Sequence, residues 1–170
     1  MKKVEDIMTR DVKSCALNGN LAEAVALMWE NDCGVLPVLD NDGKVTGIIT
    51  DRDISVAVGT RGKLASEISV GEVVSGEVFT CLPDDDVKEA IEIMRSAKIR
   101  RLPVVNNEKM LQGILSLNDI VLRAEEVKGK EVPDLSYKDV AITLKVVCEH
   151  RVPKVEPIEE MELGVSAAGD

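Results

Sequence analysis

Residues 47–54 read GIITDRDI and residues 113–120 read GILSLNDI, one pattern at an offset of 66. The recurrence extends well beyond these stretches. Val4 to Ile54 lies over Val70 to Ile120 without a gap, with identical pairs at Val12/Val78, Cys15/Cys81, Glu23/Glu89, Ala24/Ala90, Met28/Met94, Leu36/Leu102, Pro37/Pro103, Val38/Val104, Gly47/Gly113, Ile48/Ile114 and Asp53/Asp119. Most other pairs exchange like for like, as in Leu21/Val87 and Val25/Ile91. Such self-similarity marks a duplicated structural unit. Two copies are too few for a solenoid, so the units are expected to pack on each other as a pseudo-twofold pair.

Each unit reads β-α-β-β-α. A short β stretch, Val12 to Ala16 or Val78 to Leu82, leads into the polar turns Asn18-Gly19-Asn20 and Pro83-Asp84-Asp85-Asp86. Asn20 and Asp86 suit a helix N-cap, and acids suit the positive end of the helix dipole. Leu21, Ala24, Val25 and Met28 then fall at helical spacing, as do Val87, Ala90, Ile91 and Met94. Two apolar strands follow in each unit, VLPVLD and VTGIIT, then RLPVV and LQGILS, joined by hairpin-like turns. Their aliphatic character with little alternation predicts cover on both faces. Second helices open at DRDISVAV and LNDIVLRAEEV. The fold class is α/β, with residues 1–62 as the first repeat, 63–130 as the second, and 131–170 as a C-terminal helix and acidic tail. That helix is predicted over Ser136 to His150, with Val140, Leu144 and Val147 as its apolar stripe and Ala141 and Cys148 beside it.

Composition narrows the function. The chain has 170 residues, and no apolar run approaches the roughly 18–20 residues of a membrane span. The start, MKKVEDIMTR, has no apolar h-region, which predicts a cytosolic (cytoplasmic) protein. A net charge of −10 argues against nucleic acid as a partner, and Trp29, Phe79 and Tyr137 are too few for base-stacking platforms. Cys15, Cys33, Cys81 and Cys148 form no C-x-x-C pair, so free thiols are expected. The isolated Cys148-Glu149-His150 cluster lacks the spacing of a metal site, and no metal is expected. His150 is the sole histidine, and neither a phosphate loop nor G-x-G-x-x-G occurs. No catalytic constellation emerges, and the expectation is a protein that is not an enzyme.

The T-x-x-D of Thr50–Asp53 and the S-x-x-D of Ser116–Asp119 admit two readings. A hydroxyl at the N-cap with an acid three positions on approximates a capping box. The same geometry offers a helix N-terminus for an anion and a carboxylate for two vicinal ribose hydroxyls. The glycine three places before each hydroxyl would leave room for a ligand against the strand. Ribose acceptor, phosphate donor and apolar slot together suit a nucleotide.

The stretches VEDIMTRDVKSC, NDCGVLPVLDNDGKVTGIITDRDI and SAKIRRLPVVNNEKMLQGILSLNDI resemble a tandem of cystathionine β-synthase (CBS) domains, the Bateman module, over about Val4 to Val127. The resemblance implies a stand-alone regulatory module that binds adenosine-containing ligands: AMP, ADP, ATP or S-adenosylmethionine. Whether Mg²⁺ accompanies the phosphates is left open. By resemblance, Thr50 and Asp53 serve one site and Ser116 and Asp119 the other. Ser14, Cys15 and Ala16 with Ile48, and Thr80, Cys81 and Leu82 with Ile114, would line adenine slots. Arg52, Arg100 and Arg101 would meet phosphates, the latter two bringing their charge to the second site or to a shared central zone.

The chain has no room for a second catalytic domain, so a regulated target is expected on another chain. The competing class is a dimerisation or protein-interaction module with empty nucleotide sites. Apolar faces in DISVAV and DIVLRA predict a symmetric homodimer.

Overall fold

The computed structural model describes residues 2–74, 76–128 and 133–149. The predicted tail, His150 and the rest of residues 150–170 lie outside the described residues. In the first repeat, β1 (Cys15–Ala16) pairs parallel with β2 (Val35–Leu39), which pairs antiparallel with β3 (Val45–Thr50). In the second, β4 (Arg101–Val105) pairs antiparallel with β5 (Leu111–Ser116), and a single parallel bridge from Cys81 to Val104 stands where β1 stands in the first. The registers match across the repeat: Val35 faces Thr50 and Arg101 faces Ser116, with an irregularity at Val38/Leu39 and at Val104/Val105. The β stretches before the first helices are thus shorter than their apolar runs suggested: only Cys15–Ala16 and Cys81 pair with a strand.

Helix α1 (Leu21–Glu30) starts at Asn20, whose side chain accepts from Glu23 N at 3.0 Å. After α2 (Asp51–Arg61) comes α3 (Val87–Ala97), capped by buried Asp86, which accepts from Lys88 N at 2.8 Å. Helix α4 (Leu117–Arg123) is shorter than LNDIVLRAEEV suggested. Its continuation is lost because Glu125 instead exchanges backbone bonds with Leu135 and Tyr137 (2.9 and 3.1 Å), leading the chain into α5 (Tyr137–Cys148).

Helix α5 packs on α3 and α4, burying Val140, Thr143 and Val147. The predicted stripe is corrected at one place: Leu144 is exposed and Thr143 is buried. The polar residue is tolerated because its hydroxyl donates to Asp139 O at 2.6 Å and accepts from Arg95 Nε at 2.9 Å. This cover also separates the two first helices. Ile91 of α3 is 2 % exposed, whereas its counterpart Val25 of α1, at the same place in the apolar spacing, is 43 % exposed.

Two hydrophobic cores form, and each borrows from the other repeat. Val4, Ile7 and Met8 pack into the core of α3, β4, β5 and α4. Ile68 and Val70, with half-buried Ala65, Val73 and Val74, pack into the core of α1, β2, β3 and α2. The backbone follows: Lys3 bridges Asp86, and Asn20 bridges Ser69, the same pairing at the 66-residue offset with the strands' owners exchanged. A cut at 62/63 therefore respects the sequence repeat but severs both cores.

Candidate functional site

The strand-to-helix junctions are set by sequence. Thr50 and Ser116 end β3 and β5 in extended conformation (φ −118° and −115°), and their hydroxyls accept from the N–H of Asp53 and Asp119 at 3.2 and 3.3 Å. Each aspartate reaches back: Asp53 Oδ2 accepts from Thr50 N at 3.0 Å and Thr50 Oγ1 at 2.6 Å, and Asp119 Oδ2 accepts from Ser116 N at 2.8 Å and from the Ser116 hydroxyl. Both are capping boxes. The second oxygen differs between them. Asp119 Oδ1 accepts from Thr9 Oγ1 at 3.4 Å, whereas Asp53 Oδ1 meets no donor among the described residues.

A third copy of this cap provides an internal control. Ser136–Asp139, at the start of α5, makes the same bonds (3.0, 2.7 and 3.3 Å). There the Ser136 hydroxyl holds the Asp139 carboxyl below the usual carboxylate range. That cap borders neither of the β3/β5-type junctions. The S/T-x-x-D pattern alone is structural; what surrounds it decides whether it can hold a ligand.

Around Thr50 and Asp53 lies a cleft of about 960 Å³ between the repeats. One wall is apolar and built from both: Ile48 of β3 against Val74, Val78 and Phe79 of the connecting segment. The polar lining carries Lys98 and Arg100 of the α3–β4 turn, Arg101 at the start of β4, and Asp51, Arg52 and Asp53 at the start of α2. The end of α5 (Val147, Cys148, Glu149) closes one side. Neither Arg52 nor Arg101 ends in an ion pair among the described residues, while Lys98 Nζ lies 2.8 Å from Glu149 Oε2. Lys98 holds the Glu149 carboxyl below its ordinary range through that bond. The cleft is lined by four cations, Arg52, Lys98, Arg100 and Arg101, balanced by four carboxylates, Asp51, Asp53, Glu77 and Glu149, so in a chain of net charge −10 it is a place where an anion can find cationic partners.

The expected site residues are placed as follows. Arg100 and Arg101, expected at the second site or in a shared central zone, line the cleft that also holds Thr50 and Asp53 of the first repeat. Cys15 and Cys81 are buried in the cores, 8 % and 3 % exposed, so their side chains pack among apolar neighbours. Burial pushes their thiols up to about 11 and about 12. Of the residues expected in the first adenine slot, Ile48 lines this cleft and Ser14 and Ala16 do not; Thr80, Leu82 and Ile114 were expected at the Asp119 junction, where Ile114 pairs its backbone with Thr9. Leu82 N instead donates to Asp85 in the turn. The glycines make room for the crossing segments: a Cβ on Gly47, which also lines the cleft, would lie 2.2 Å from Val74 Cγ1, and one on Gly113 2.6 Å from Thr9 O. Val74, Val78, Phe79, Lys98 and Glu149 were not expected at this site from the sequence. A consistent swap of the leading segments was the missing information, and nothing local encodes it.

The family model for the CBS domain matches residues 4–59 and 70–126. Uncharacterized protein YlbB of Bacillus subtilis (strain 168) is 34% identical over 142 residues, covering 82% of this chain and 95% of that protein. The crystal structure of the CBS domain pair of protein MJ0100, in complex with 5′-methylthioadenosine and S-adenosyl-L-methionine, is similar at a TM-score of 0.64 and 27% identity, covering 72% of this chain and 94% of that one. That of CBSX2 in complex with AMP is similar at 0.62 and 25%, covering 72% and 95%.

Proposed function

We propose, since the chain belongs to the CBS-domain family, that it is a regulatory module binding an adenosine-containing nucleotide in the cleft beside Asp53. The observation that carries this reading is the meeting of three chemistries in one cleft: the Asp53 carboxylate with Oδ1 unengaged, the apolar wall of Ile48, Val78 and Phe79, and the cationic rim of Lys98, Arg100 and Arg101. A ribose diol would donate to Asp53, the base would lie on the apolar wall, and phosphates would meet Arg101, with Arg100 and Arg52 beside it. Arginine suits this role because its fork matches phosphate oxygens in pairs.

The Asp119 junction is the poorer phosphate site. At the 66-residue offset, Asp32, Gly34 and Val35 stand where Lys98, Arg100 and Arg101 stand, and Asn118 replaces Arg52. We therefore assign one phosphate-bearing ligand per chain. Such a ligand would touch both repeats at once, so its affinity depends on their relative position. That dependence is what lets binding shift a conformational equilibrium. The reading makes the protein a non-enzymatic, cytoplasmic sensor with its target on another chain. Val56 of α2 and Leu122 of α4, 54 % and 79 % exposed and equivalent by the repeat, support a homodimer through these helices. The same exposed pair also favours the second reading, an interaction module whose sites stay empty.

Isothermal titration calorimetry of nucleotide-free protein with AMP, ADP, ATP and S-adenosylmethionine, with and without Mg²⁺, separates the two. Binding of one of them near one per chain is expected. Silence from all four would leave the interaction module.

A further inference from the structure

We propose that Glu149, in the turn that ends α5, is a built-in competitor for the anion end of the Asp53 cleft, so that a phosphate-bearing ligand displaces it from Lys98 and releases the last turn of α5. The inference rests on the nucleotide reading of that cleft and adds its regulation. Helix α5 lies beyond the two matched repeats, so this contact is an addition to the paired units. Its end nevertheless enters the cleft: Glu149 lies 2.8 Å from Lys98, and Cys148 Sγ lies 3.9 Å from Arg100 Nη2.

Charge gives the contact its direction. The cleft is lined by four cations and four carboxylates, and Glu149 supplies the acid that balances them. The C-terminus of α5 adds the negative end of a helix dipole. Phosphates entering beside Arg100 and Arg101 would be repelled by both, and the repulsion is relieved when the turn lifts away. Ligand and α5 terminus are therefore coupled through a difference in affinity between two states, as coupling requires. The ion pair is exposed, 35 % and 55 % for its two side chains, and such pairs hold weakly enough to exchange.

The backbone supports a dedicated role for Lys98. It follows α3 in the left-handed region (φ 52°), where glycine would be favoured. Asp32 adopts the same conformation (φ 47°) in the first repeat. The turn thus belongs to the fold, and the amine is the particular of this site.

The test is calorimetric titration of the wild type and Glu149→Gln with adenosine, ADP and ATP, with hydrogen exchange read over residues 144–149. The glutamine is expected to tighten ADP and ATP roughly two- to fivefold and leave adenosine unchanged. ATP is expected to raise exchange at the end of α5 in the wild type. Lys98→Gly, which relieves the left-handed strain, is expected to fold and to free the α5 terminus without ligand. Wild type and E149Q binding ATP with equal constants would overturn the inference while leaving the nucleotide reading intact. No binding by either would remove the nucleotide reading and this inference together.

Discussion

A methyl group added at Gly113 would meet the Thr9 carbonyl oxygen at 2.6 Å, part of a backbone that also bridges Ile114. Added at Gly47, it would meet the Val74 side chain at 2.2 Å, which can turn aside. Gly113→Ala is therefore expected to cost about 1–3 kcal/mol, and Gly47→Ala less, in urea unfolding. Equal losses would contradict the difference between backbone and side-chain obstruction. The cysteines give a second residue-level expectation. Cys15 and Cys81 keep their thiols protonated well above pH 8, since burial raises them to about 11 and about 12. At pH 8 in native buffer a thiol reagent should label Cys33 and Cys148 and spare the other two until the protein unfolds. Rapid labelling of Cys81 in folded protein would contradict its burial. The caps were legible at this scale, because Thr50–Asp53 and Ser116–Asp119 depend only on neighbours in sequence. The partners of the glycines were not, because Thr9 and Val74 approach from the opposite repeat.

At the scale of the element, the two first helices share a pattern and differ in fate. Their apolar spacing predicted both helices, yet it could not say that α5 would shield only one of them. Ile91 is enclosed and Val25 is open for that reason. Ile91→Ala is expected to lose about 2–5 kcal/mol, and Val25→Ala about 1 kcal/mol or less, both measured by thermal unfolding. A comparable loss at Val25 would mean that another surface covers α1 in solution. The boundary of α4 taught the same lesson. The stretch LRAEE at residues 122–126 consists of good helix formers, and the helix still stops at Arg123 because Glu125 finds backbone partners at Leu135 and Tyr137. Tertiary pairing overrides local preference where the chain has somewhere better to bond.

For the whole molecule, the expectation concerns asymmetry within a near-symmetric pair. Asp53→Ala is expected to weaken nucleotide binding by about 1.5–3 kcal/mol, tenfold or more, and Asp119→Ala to change it little. The reverse order would move the site to the second junction. The family, the duplication and the α/β architecture were readable from the repeat. The ownership of the cleft was not, because the repeat says what each half is and not how the halves interleave. That interleaving has a consequence for how the protein comes into being on the ribosome. Val4, Ile7 and Met8 are synthesised more than a hundred residues ahead of Leu115 and Ile120, about which their core is built. The opening segment leaves the exit tunnel long before its seat exists, while the first core can close once Val74 has emerged. A segment synthesised ahead of both repeats' strands is thus among the last to be fixed, and the loop it closes is one of the longest in the fold, a slow step by contact order.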